Sequence, residues 1–134
     1  MNYSRVKYLL TSGNLIKKGK RKFFKKFLQR PFAVLVYFLP IKGNRIVFDN
    51  FGGKGYGDST KYIAEELIKS GRNYELVWLV DNLSSYEFPK QIKTVKIDSI
   101  KALCMRATAK VWIDNVRHLH PVKKKKEQVY LQAW

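Results

Sequence analysis

Acidic residues are missing from the first third of this 134-residue chain. Residues 1–42 carry 11 of the 27 Lys and Arg and no Asp or Glu; the first acid is Asp49. Residues 43–134 hold 16 basic and 10 acidic residues, so most of the +17 formal charge sits in the N-terminal arm. That asymmetry points to an anionic partner for the arm. Cysteine is nearly absent: Cys104 stands alone, which excludes an internal disulfide and suits a reducing compartment. Long apolar runs are absent too. The run from Phe32 to Leu39 (FAVLVYFL) lies between Pro31 and Pro40, whereas a membrane span needs about 20 residues. Met1 is followed by mixed polar residues with no small-residue cleavage site, so no secretory signal is read. The two histidines, His118 and His120, lack partners for a metal site, and a solvated loop is expected there. No Ser-His-Asp set or catalytic carboxylate pair can be assembled from the sequence, so no catalytic base is evident.

What is present divides at about residue 42. In the arm, residues 1–42, Phe23, Phe24, Phe27 and Leu28 fall on one helical face. Lys17, Lys18, Lys22, Lys25 and Lys26 fill the opposite side. A basic amphipathic helix followed by a short apolar run suits a membrane interface, where each cation near an anionic leaflet is worth about 1 kcal/mol. Packing of the aromatic face on the chain's own domain is the competing reading.

Residues 43–134 alternate strand and helix signals. Arg45–Asn50, Glu75–Val80, Thr94–Ile97 and Lys110–Asp114 read as strands, and Glu127–Trp134 begins another. A helix capped by Ser59 runs to about Ser70, with Gly71 past its end. Asp98 or Ser99 caps a second helix, whose apolar face is Ile100, Leu103, Cys104 and Ala107. This order predicts an α/β, Rossmann-like parallel sheet of about five strands with flanking helices, the last strand frayed.

Ligands of open parallel sheets bind beyond the carboxyl ends of the strands. Two segments fall there. The first holds Gly52, Gly53, Lys54 and Gly55 and leads into a helix, where free N–H groups and a lysine charge suit phosphate. It is neither a G-x-G-x-x-G, because Asp58 replaces the third glycine, nor a P-loop. A plain glycine turn is an equal reading. The second holds Asp114, Asn115 and Arg117; the arginine suits a phosphate, and an Asp-Asn turn is nearly as good an account. Lys123–Lys126 reads as a solvated face or a polyanion guide.

RIVFDNFGGKGYGDSTKYIAEEL, YELVWLV, FPKQIKTVKIDSIKALCMRATAKVWIDNVR and KKKKEQVYLQAW, taken together over Ile41–Trp134, resemble the N-terminal domain of CDP-glycerol:poly(glycerophosphate) glycerophosphotransferases. The resemblance implies one half of a GT-B architecture, with an active site between two Rossmann-like domains. It implies a peripheral enzyme at the cytoplasmic face of the bacterial membrane. Such an enzyme transfers glycerol phosphate, or ribitol phosphate in relatives, from a CDP-polyol to a lipid-linked teichoic acid acceptor. No cofactor, metal or nucleic-acid partner is expected. The family's favoured base is a histidine following the tryptophan that matches Trp134, so no catalytic residue is assigned within the chain. The second domain is expected as a missing C-terminal part or a second polypeptide, and an exposed apolar surface where it docks. The alternative is a non-catalytic module for membrane surfaces or polyanions.

Overall fold

The computed structural model describes residues 30–116 and 122–133. Residues 30–37 are helical (α1). There follow β1 (Lys42–Asp49), α2 (Asp58–Lys69), β2 (Glu75–Val80), β3 (Ile92–Lys96), α3 (Ile100–Thr108), β4 (Ala109–Asp114) and β5 (Val129–Gln132). The five strands form one parallel sheet in the order β3-β2-β1-β4-β5. This is the α/β class expected from the alternating signals.

The strand period of two distributes the core. Ile46, Phe48, Leu76, Trp78 and Val80 face α2, meeting Ala64. Val47, Val77, Leu79 and Trp112 face Ala102 of α3. β2 has helix-covered faces on both sides, which explains its unbroken apolar run. Phe48 and Trp78 stack with centroids 5.1 Å apart and are fully buried, each contributing roughly 2–3 kcal/mol.

α3 has a wider buried arc than its apolar stripe predicts. Ala102, Leu103, Arg106, Ala107 and Thr108 are buried, while Ile100 is 48% exposed. The helix is a middle layer: Ala102 meets the sheet, and Leu103 and Ala107 meet Ala33 and Val36 of α1. Ser99 is its N-cap, accepting the Ala102 N–H at 3.1 Å. α2 departs from expectation at its start. It begins at Asp58 after Gly57, so Ser59 is not the cap. Its end conforms, with Gly71 at φ 66° after Ser70.

β1 begins at Lys42 rather than Arg45, with Lys42 paired to Ala109, and β3 at Ile92 rather than Thr94, with Ile92 paired to Leu76. β5 is paired rather than frayed, from Val111↔Val129 to Asp114↔Gln132. The buried Gln128 anchors it, its Nε2 donating to the carbonyls of Arg106 at 2.8 Å and Ala109 at 2.7 Å. No helix among the described residues is long and apolar enough to cross a membrane.

Candidate functional site

The chain passes from β1 outward to β2 and β3, then returns to place β4 on the other side of β1. The carboxyl ends of β1 and β4 therefore flank the point where strand order reverses, which is where such sheets form a ligand crevice. Asp49 and Asp114 end these strands in register with each other. The two segments singled out in the sequence, Phe51–Gly55 and Asp114–Asn115, meet here.

The contact between them is a side-chain amide. Asn115 Oδ1 accepts the Phe51 N–H at 2.8 Å, and its Nδ2 donates to Asn50 Oδ1 at 2.5 Å and Asp58 Oδ2 at 3.3 Å. Asn115, Asp114 and Asn50 are all buried. They hold the wall together from inside.

Two glycines are required by packing. A Cβ at Gly53, which has φ 92°, would meet the Asp81 nitrogen at 2.8 Å. One at Gly55, with φ 99°, would meet the Tyr86 ring at 2.9 Å. The loop is also tied to the β2 side, where Asp81 N–H donates to Gly53 O at 2.9 Å and Trp78 Nε1 to Gly55 O at 3.0 Å. Gly52 and Lys54, by contrast, are exposed, and Gly52 has open space beside it. With Phe51, 47% exposed, they form the crest of the loop.

The expectation of free backbone donors throughout the loop is met only in part. The Gly53 N–H is given to Asp49 Oδ1 at 2.7 Å, and the Lys54 N–H to Asn50 O at 2.8 Å. What faces outward is the Gly52 backbone and the Lys54 ammonium. Asp58 places its own carboxylate in the first turn of α2.

Beneath the loop lies a charge pair that sequence reading missed. Arg106 Nη2 stands 3.3 Å from Asp49 Oδ2, both nearly inaccessible. Burial lowers the pKa of the guanidinium; Asp49 and, beyond it, Asp114 oppose that shift. Tyr130 of β5 donates its hydroxyl to Asp114 Oδ1 at 2.7 Å. The available signal was an arginine three residues after Leu103, on a stripe that must be buried. Arg117, His118 and His120 lie outside the described residues, as do Lys17, Lys18, Lys22, Phe23, Phe24, Lys25, Lys26 and Phe27 of the arm. Among the described residues no His, Cys, Asp and Glu cluster fits a metal ion. A cavity of about 240 Å³ lined by Leu67, Arg72, Tyr74 and Gln91 lies at the opposite end of the sheet, away from these groups.

Residues 32–134 match the CDP-Glycerol:Poly(glycerophosphate) glycerophosphotransferase family. The chain belongs to that family. Among its relatives in the family, a teichoic acid poly(glycerol phosphate) polymerase of Staphylococcus epidermidis is 36% identical over 94 residues, 70% of this chain and 13% of the relative. One from Bacillus subtilis strain 168 is 30% identical over 97 residues, 72% of this chain and 13% of the relative. One from Bacillus spizizenii is 26% identical over 117 residues, 83% of this chain and 30% of the relative. A solved structure of the wall teichoic acid polymerase TagF superposes with a TM-score of 0.72 at 31% identity, covering 90% of this chain and 31% of that one. The glycerophosphotransferase relatives are thus much longer: this chain spans a third or less of each.

Proposed function

We propose that the chain supplies one wall of a polyol-phosphate transferase site that builds a teichoic-acid-type polymer. The observation that carries this is the convergence of the Gly52–Lys54 crest and the Asp114–Asn115 edge at the switch point of a chain in the glycerophosphotransferase family. The donor in this reading is CDP-glycerol or a related CDP-polyol, and the acceptor is a lipid-linked polymer. No cofactor takes part. The acceptor hydroxyl oxygen forms a bond to the phosphorus bearing the polyol, the pyrophosphate bond breaks, and CMP leaves. The hydroxyl proton passes to a general base outside the residues assigned here. Lys54 and the Gly52 backbone contribute positive potential to the phosphate as charge shifts to the leaving group. The opposite wall belongs to a second domain, in the same polypeptide or another.

Attachment to the cytoplasmic face of the membrane is part of the same proposal, and α1 supports it. In α1, Ala33 and Val36 are buried while Phe32, Val34 and Leu35 are exposed, and the turn after it exposes Phe38, by 79%, and Leu39. Lys125 binds the end of this segment: its Nζ donates to Leu39 O and to Ala107 O, and sits 5.5 Å from the Tyr37 ring centroid. That contact brings exposed Lys123, Lys124 and Lys126 beside an apolar helix face, the pairing that anionic lipid surfaces favour.

The test is CMP release from CDP-glycerol by the full reading frame carrying this chain, with a glycerol-phosphate-primed lipid acceptor in anionic vesicles. Release that depends on the acceptor is expected. The absence of both CMP release and CDP-glycerol binding would sink the proposal.

A further inference from the structure

Two non-glycine residues among those described have positive φ: Phe51 at 47° and Asp58 at 56°. Bulky side chains rarely adopt that conformation, and it persists only where the surroundings impose it. The two stand at opposite ends of the glycine loop, and one side chain binds both. The Phe51 N–H donates to Asn115 Oδ1 at 2.8 Å, while Asn115 Nδ2 donates to Asp58 Oδ2 at 3.3 Å. The amide orientation follows from chemistry. A backbone N–H can only donate, so the Asn115 atom facing it is oxygen and the nitrogen faces Asn50 Oδ1 and the Asp58 carboxylate. Asn115 is 4% exposed and follows β4, on the far side of the switch point from the loop it grips.

We propose that Asn115 is a positioning residue, a clamp that fixes both positive-φ ends of the loop, the strained Phe51 and the more tolerant Asp58. Its donors and acceptor are spent on the loop, so the phosphate is received by the crest at Gly52 and Lys54 and not by Asn115. The clamp sets where that crest points. Asp49 supports it from below through the Gly53 N–H, but among the described residues only Asn115 bonds both ends. The inference rests on the phosphate reading of the same site, and its test separates the two.

The experiment is a reciprocal swap in the full chain. Asn115→Asp keeps the acceptor for Phe51 but sets a second carboxylate against Asp58. Adding Asp58→Asn restores a donor and an acceptor with their places exchanged. Three readings are taken: hydrogen exchange at the Gly53 amide, the shift of the Gly52 amide on titration with inorganic pyrophosphate, and exchange at the core amides of Val77 and Trp78. Asn115→Asp is expected to lose Gly53 protection by about tenfold or more: the Gly53 N–H keeps its own acceptor on Asp49, so the loss reports the loop loosening once the Asn115–Asp58 bond becomes a repulsion. The pyrophosphate response falls with it, the core amides hold, and the double variant recovers both losses. Unchanged Gly53 protection in Asn115→Asp overturns the clamp. So does a double variant that does not recover, or that stays unfolded if the single variant does not fold. Protection lost and recovered without a pyrophosphate response in any variant overturns the phosphate reading, and with it the positioning role.

Discussion

Arg106 and Asp49 form an ion pair 3.3 Å long directly beneath the loop, between α3 and the end of β1. Asp49 divides its carboxylate: one oxygen takes Arg106 and the other takes the Gly53 N–H. The loop's backbone is therefore referenced directly to a buried ion pair.

Removing one partner of that pair leaves the other charge buried. Arg106→Met is expected to destabilise the fold by ~3–5 kcal/mol. Arg106→Met combined with Asp49→Asn is expected to recover part of the loss, because the carboxylate in direct contact is neutralised and only the more distant buried Asp114 still faces the missing cation. Urea unfolding of the parent chain and the two variants measures this. A double variant no better than the single would show that the guanidinium matters by shape and not charge.

The glycines of the loop are not equivalent. Gly53→Ala would drive a Cβ to 2.8 Å from the Asp81 nitrogen at φ 92°, and is expected to cost more than ~2 kcal/mol. Gly52→Ala meets nothing within 4 Å, so only its φ of 71° is penalised, by ~1 kcal/mol. Thermal denaturation of the pair should reproduce that order.

Acid should weaken the opposite end of the sheet. Burial pushes the Glu75 carboxyl up, but hydrogen bonds from Arg45, Lys42 and Lys93 outweigh it and hold the pKa at about 2, against 4.5 ordinarily. A depressed folded-state value contributes stability above the unfolded pKa and loses it as pH falls. The loss belongs between about pH 4.5 and 2. Since two of the three partners, Lys42 and Lys93, are more than half exposed, its size is discounted for solvent screening to ~1–2 kcal/mol. Glu75→Gln should flatten the acid limb of the stability curve in that window and lower stability at pH 7.

The α1 surface should separate binding from folding. Leu35→Ser with Phe38→Ser alters side chains that are mostly exposed, so the melting temperature should move little. Partition onto anionic vesicles should drop by about tenfold or more, given ~1.5–3 kcal/mol for each apolar side chain buried. Changing Lys123, Lys124 and Lys126 to Gln should reduce binding to anionic but not neutral vesicles, and the effect should fade with salt. Equal sedimentation of all variants would remove this face from the membrane proposal.

The local chemistry of this chain was enough to place its elements. The unbroken run Glu75–Val80 is a doubly covered strand, Ser99 is a cap, Gly71 ends a helix, and the alternation of the two periods dictates a parallel sheet, because each rests on residues within a few positions of one another. Asp114–Asn115 was legible as a strand end for the same reason.

Which polar residues hold the site and which remain open to a ligand was decided only by the tertiary fold. Asn115 reaches Phe51 across 64 positions and Arg106 reaches Asp49 across 57, and no local pattern encodes such pairings. They arise because β4 returns to the far side of β1, which sets two strand ends side by side where Asp49, Asn50, Asp114 and Asn115 are buried and their polar atoms need partners. A glycine loop that reads as a row of free donors thus becomes a braced one, with only its crest turned to solvent.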